Sequence, residues 1–204
     1  RIVGAHPAMA AVVAVANVAL RAREALGPAS VQPALAALHR GIETDRHAAA
    51  QALAAHLDEP VRVVTYSASA NVVEVLQVLR HQDLLLDVVC GESRPLLEGT
   101  ALARYLATEG YDVLVATDAA LADAFVERTV LVVGADAILP ESVAHKRGTR
   151  LLAAWAGLAG APRYVVATRD KVYPPQLAPF FSIPLHPANE VVHDAPDGLR
   201  VENR

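Results

Sequence analysis

One cysteine, Cys90, stands among the 204 residues of this sequence. A lone thiol excludes an internal disulfide and makes a reducing, cytoplasmic location the expectation. Aromatic residues are only 4% of the chain; Ala, Val and Leu are abundant instead, which suggests close helix packing. Positive charge is not in excess. The formal net charge is -4, no basic stripe runs along a helix, and nucleic acid is not an expected partner. No apolar run reaches the ~20 residues that span a bilayer. The most apolar early stretch, Met9 to Leu20, is shorter and is interrupted by Asn17. It lacks a basic leader and a cleavage-like sequel, so neither a signal peptide nor a membrane anchor is expected. Because the first residue is Arg1 and not Met, the natural start is expected upstream.

Motifs for the commoner cofactors are missing too. "GESRPLLEG" carries two glycines but no Gly-Lys-Ser/Thr, so it is not a phosphate-binding loop of that kind. No G-x-G-x-x-G follows the first apolar run, so the dinucleotide fingerprint is absent. The eight histidines are scattered; His186 and His193 beside Asp194 form the only weak metal-ligand alternative. No cofactor and no metal are expected. Cys90, inside "DVVCGES", reads as a buried, inert thiol rather than a nucleophile.

What is present is apolar mass: 53% hydrophobic against 20% charged residues. That is enough for one globular unit whose core needs no staple. Residues 1–58 read as a helical subdomain. "HPAMAAVVAVANVALRAREAL" is apolar on almost every face until Arg21, which predicts a buried helix ended by Gly27 and Pro28. "SVQPALAALHRGIETDRHAAAQALAAHL" is amphipathic, with Ser30 as cap and Gly41 as an interruption.

From residue 61 to 204 the pattern changes. "VRVVTYS", "LDVVCGES", "YDVLVAT", "TVLVVGAD" and "PRYVVAT" alternate with helical stretches, "DAALADAFVER" among them. Continuous apolar runs between helices predict an α/β domain with a parallel sheet covered on both faces. Right-handed crossovers then put every strand's carboxyl end on one edge, where such sheets hold ligands. The proline-rich stretch from Lys171 to Pro187 reads as an irregular surface loop.

That edge should carry Ser67, Ser69, Ser93, Thr117 and Asp118, which have a plain explanation as helix caps. Cations there are less expected. Arg94 with Pro95 at a first helical position, and His145, Lys146 and Arg147 opening another helix, would face the positive end of a dipole. A bound anion reverses that sign; alternatively Arg94 pairs with Glu92 or Asp136, and Arg147 faces water. Asp136 ends the apolar run "LVVGA". Burial and neighbouring cations can tune such a carboxyl for proton transfer, with a loop-capping role as the alternative.

"GESRPLLEG", "VVGAD" and "HKRGT", in this order and spacing, resemble the family of the alpha, beta and delta subunits of translation initiation factor 2B. Ribose-1,5-bisphosphate isomerase and methylthioribose-1-phosphate isomerase belong to the same family. The resemblance implies an N-terminal helical part and a Rossmann-like parallel sheet of the NagB/RpiA/CoA-transferase-like class. It also implies that Arg94 contacts a sugar phosphate, that Asp136 is the catalytic aspartate, and that Lys146 lies near the same ligand. Gly4 and Ala5 in "IVGAHPAM" are similar to the family's phosphate-binding turn. The sequence departs from the pattern at three positions. Ser67 stands for the isomerases' cysteine, Glu98 for the motif glutamine and His145 for the motif asparagine. A serine hydroxyl is far less acidic than a thiol, and the Thr-x-Ser pattern looks more like the regulatory subunits. Two functions follow: an initiation-factor-2B-like protein that binds a phosphorylated small molecule, or a sugar-1-phosphate aldose–ketose isomerase. In the second, Asp136 would move a proton and Ser67 would position the substrate. A homodimer or an assembly with related subunits is implied, through the sheet domain and a tail that begins at "LRVENR".

Overall fold

All five apolar runs become strands of one parallel sheet. The structure is a computed structural model that describes residues 8–203. The strands, in chain order, are β1 (Val61–Thr65), β2 (Leu85–Gly91), β3 (Val113–Ala116), β4 (Thr129–Val133), β5 (Ala137–Leu139), β6 (Ser142–Ala144) and β7 (Arg163–Val165). Five of them form the sheet in the order β3-β2-β1-β4-β7, and β5 with β6 make a separate antiparallel hairpin. In the parallel ladder Val64 pairs with Val89, and Val63 with Val130.

Side chains alternate across the strands, so each strand feeds two cores. On one face Val63, Val88, Cys90, Val130 and Val132 meet α3 (Ala70–His81) and α4 (Glu98–Thr108). On the other, Val64, Val89, Leu131 and Val133 meet Leu152 and Ala156 of α5 (Thr149–Leu158). Val63, Val64 and Val88 are fully buried, and each contributes about 1.5–3 kcal/mol. Cys90 lies in the first of these cores, where burial pushes its thiol up to about 12. It is inert at neutral pH.

The helical part consists of α1 (Ala10–Leu26) and α2 (Val31–Ala54). Ala50, Leu53 and Ala54 of α2 join the same core as the sheet. Three expectations fail here. α1 is not buried all round: Val15 is 43% and Leu20 57% exposed. α2 covers one side of it, and Ala10 and Val13 near its start pack with Ala137, Leu139, Tyr173 and Phe181, while much of the rest of its surface stays exposed. Nor does Gly41 interrupt α2, which runs through it without a break. One glycine costs about 1 kcal/mol relative to alanine, which a helix docked on the core absorbs. Ser30 does not cap α2 either; its hydroxyl lies 2.7 Å from Ala22 O and 2.6 Å from Gly27 O, bracing the turn between the two helices.

The predicted helix after β3 is only a short 3-10 turn, Ala120–Ala124. β4 lies three places from β3 in the sheet, so the connection must cross about 14 Å sideways at ~4.8 Å per strand. It must also return along the strands. An 11-residue α-helix spans only about 16 Å, so the chain takes a more extended path and buries Leu121 on the way.

Candidate functional site

Strand order reverses between β1 and β4, and the crevice outside their carboxyl ends is where open α/β sheets hold ligands. β1 delivers Ser67 to that crevice and β4 delivers Asp136. Both line a cavity of about 650 Å³, together with Arg94, Glu98, His145 and Lys146. Six of the eight residues that the family resemblance marks therefore share one hollow. The other two, Gly4 and Ala5, lie outside the described residues.

The loops around this hollow are held by long-range polar contacts. Ser67 and Ser93 end adjacent strands with positive φ, 67° and 66°. Such backbone costs L-residues about 1–2 kcal/mol each, so other contacts must fix it. Ser67 N–H donates to Ser93 Oγ at 2.7 Å, and the Ser93 hydroxyl donates to Gly91 O at 3.1 Å. Asp118, at the end of β3, accepts from Ser93 N–H at 2.7 Å, from Arg94 N–H at 2.8 Å and from Tyr66 OH at 3.2 Å. Burial and then the Asp118 charge push the Tyr66 hydroxyl above its ordinary value, so it remains a donor. The sequence pattern predicts helix caps at these positions. Instead, Ser93 and Asp118 tie β1, β2 and β3 together, and Ser69, at the N-cap position of α3, makes no side-chain capping bond.

The cations are also placed differently. The Arg94–Pro95 bond is cis, residues 94–97 form a turn, and α4 starts only at Glu98. Lys146 and Arg147 precede Gly148, the N-cap of α5, and do not open that helix. Gly148 has φ +101, and a Cβ there would lie 2.8 Å from the Tyr66 hydroxyl oxygen. Arg94 pairs with neither Glu92 nor Asp136. Its exposed guanidinium donates to Val191 O at 3.3 Å and makes no ion pair among the described residues. Lys146 Nζ lies 2.8 and 2.9 Å from the two carboxylate oxygens of Glu98. Glu98 opens α4, where the helix dipole favours a carboxylate.

The β5–β6 hairpin, unseen in the sequence, brings His145 beside Asp136. Asp136 N–H donates to Ala144 O at 2.8 Å, and Asp136 O accepts from Ala10 N–H at 2.9 Å. The Asp136 carboxylate makes no hydrogen bond or ion pair among the described residues, and it faces the cavity. His145 is held by Thr149. The Thr149 hydroxyl donates its one proton to Lys146 O at 2.6 Å, so the 2.8 Å contact from His145 Nδ1 requires an Nδ1–H donor. Burial lowers the His145 pKa below its ordinary value of 6.5, against the raising influence of Asp136. The ring is therefore neutral at pH 7 with Nε2 as an acceptor. Long-range proton–nitrogen NMR at pH 7 should find that tautomer; a protonated Nε2 would contradict the assignment. Because the unfolded chain takes up the proton first, this residue's contribution to stability falls as pH drops below about 6.5.

Two further features carried no sequence signal. The stretch from Lys171 to Pro187 is irregular and mostly exposed, as expected, but it and the residues after it also reach the site. Ile183, His186, Glu190 and Asn203 line the cavity, and Asn203 Nδ2 donates to Pro187 O and Glu190 Oε2 at 3.0 and 2.7 Å. A second, polar hollow of about 250 Å³ shares Ser67, Asp136 and His145 with the first and adds Arg46, Asn71 and Asp170. One buried oxygen of Asp170 has no hydrogen-bond partner. Among the described residues no three His, Cys, Asp or Glu side chains cluster as metal ligands. No helix among them is long and apolar enough to cross a membrane.

Similarity to known proteins follows the same architecture. A protein from Pyrococcus horikoshii, named for its likeness to translation initiation factor eIF-2B subunit 2, is 34% identical over 119 residues. That match covers 58% of this chain and 43% of the relative. A methylthioribose-1-phosphate isomerase from Exiguobacterium sibiricum is 39% identical over 92 residues, which are 43% of this chain and 26% of the isomerase. This chain thus spans less than half the length of these relatives. The crystal structure of translation initiation factor eIF-2B from Pyrococcus horikoshii superposes with a TM-score of 0.79 at 25% identity, covering 98% of this chain and 70% of that one. The model of the initiation factor 2 subunit family matches residues 1–201, and the chain belongs to that family.

Proposed function

We propose that this chain binds a phosphorylated small molecule, a sugar phosphate or a nucleotide, in the cavity at the carboxyl edge of its sheet, as an initiation-factor-2B-like protein. One observation carries the reading: the Arg94 guanidinium lines the cavity and, among the described residues, pairs with no carboxylate. Its main-chain N–H is fixed by Asp118, so the loop that bears the cation is ordered. The Asp136 carboxylate and His145 Nε2 supply acceptors for hydroxyl or amino groups of the ligand. Isothermal titration with ribose 5-phosphate and with adenosine monophosphate tests this. At least one should bind saturably, and Arg94→Ala should weaken it at least about 30-fold, as expected for a charge-assisted hydrogen bond of about 2 kcal/mol. Saturable binding of neither compound would end the proposal.

A second reading, isomerisation of a sugar 1-phosphate, is favoured by the Asp136 carboxylate, which among the described residues makes no hydrogen bond or ion pair, beside a neutral imidazole. That pair can accept a proton from one carbon or oxygen and return it to the next. Ser67 would orient the substrate. Turnover of a sugar 1-phosphate that disappears in Asp136→Asn would support catalysis, whereas binding without turnover supports the binding protein. The family includes eIF2B subunits solved as a tetrameric beta2-delta2 complex from C. thermophilum. Leu151 and Leu158 on α5 are 66% and 80% exposed here, which supports a homodimer or an assembly with related subunits. The single buried thiol fits a cytoplasmic protein.

A further inference from the structure

Among the described residues, three cationic side chains, Arg94, Lys146 and Arg147, and four carboxylates, on Glu98, Asp136, Glu190 and Glu202, line the cavity. Arg94 and Arg147 are exposed to solvent, and Lys146 is half-buried. The affinity of this part of the cavity for phosphate depends on which of these cations are free to bind it. Lys146 is not free. Its side chain is 14% exposed, and its ammonium contacts both oxygens of Glu98. Glu98 is itself fixed at the start of α4. A phosphate that reached Lys146 would come within hydrogen-bonding distance of the Glu98 carboxylate, a like charge, in a partly desolvated corner where screening is weak.

We infer that Glu98 is a specificity-determining residue. It withholds the Lys146 ammonium from ligand anions, so the site selects a molecule with one phosphate, held at Arg94, over one with two. This rests on the reading that a phosphorylated small molecule binds in this cavity. The remaining body of the ligand meets acceptors, Asp136 and His145 Nε2, and therefore carries hydroxyl or amino donors rather than a second anion.

The test compares ribose 5-phosphate with ribulose 1,5-bisphosphate by titration at fixed ionic strength, using the wild-type chain and Glu98→Gln. Wild type should bind the bisphosphate no more tightly than the monophosphate. Glu98→Gln frees the ammonium; it should tighten the bisphosphate at least about tenfold and change the monophosphate less than about threefold. Glu98→Ala should act in the same direction, and adding Lys146→Met to Glu98→Gln should erase the gain. If wild type binds the monophosphate but Glu98→Gln tightens both ligands equally or neither, the inference is overturned while the proposed function stands. A gain that survives Lys146→Met overturns it in the same way. If wild type and Glu98→Gln bind neither compound, the proposed function fails and the inference with it.

Discussion

Gly99→Ala is expected to destabilise the protein by more than about 3 kcal/mol, or to prevent folding, at the upper end of overpacking effects. Gly99 is the second residue of α4, and its backbone is ordinary helix; the reason for glycine is space. A Cβ at this position would sit 1.8 Å from Gly91 O and 2.6 Å from Ser93 Oγ. The first of these is a main-chain atom of the last residue of β2, so no side-chain rotation relieves the clash. The helix or the strand would have to move, and Ser93 with it. Ser93 is fully buried and receives the Ser67 N–H, so displacement would carry through to the β1 loop in the site. Gly110→Ala is the comparison. That glycine has φ +78 and open space where a methyl group would stand, so only the left-handed backbone is penalised, by about 1–2 kcal/mol. Urea unfolding of the two variants should separate them clearly. Equal losses would show that the approach of α4 to β2 is not a constraint.

The sheet was legible in the sequence because each strand is a short, continuous apolar run set off by more polar segments. Its period and length are local properties. Arg94, Lys146 and Asp136 were legible for a related reason, since each belongs to a short string at a strand's end. The unread features depend on residues far apart in the chain. The partner of Lys146 is Glu98, 48 positions away, and Arg94 reaches Val191, 97 positions away. No local pattern encodes such a pairing. The β5–β6 hairpin escaped because three-residue strands have too little length to display alternation. Its turn at Pro140 and Glu141 looked like the middle of a loop. α1 misled for the opposite reason: its composition is that of a buried helix, but burial depends on how many layers surround it. The cation at a helix start, which pointed toward an anion, has a different physical basis. Lys146 neutralises the carboxylate that the dipole of α4 favours, and Arg94 stands in a turn ahead of that helix.

Asp118→Ala should cost about 3 kcal/mol of stability and weaken any phosphate binding at Arg94. One carboxylate here accepts three hydrogen bonds, from Ser93 N–H, Arg94 N–H and Tyr66 OH. Removing it does not affect the three donors equally. Arg94 is exposed, and its N–H can turn to water. Ser93 is 0% exposed, so its N–H is left buried without an acceptor, and that penalty alone is about 1–3 kcal/mol. Tyr66 is 5% exposed, and burial makes loss of its acceptor costly as well. The positive φ of Ser93 then loses the contact that offsets its strain, and the turn that carries Arg94 is released. Asp118→Asn retains a carbonyl oxygen that can accept from one or both main-chain donors. It should recover about half of the lost stability, because charge-assisted bonds are roughly twice as strong as neutral ones. Thermal unfolding measures the first effect, and titration with ribose 5-phosphate the second. If Asp118→Ala lowers stability but leaves affinity unchanged, the bridge is only a structural brace. Parallel loss and partial recovery of both quantities would mean that the end of β3, which touches no ligand itself, sets the position of the cation that does.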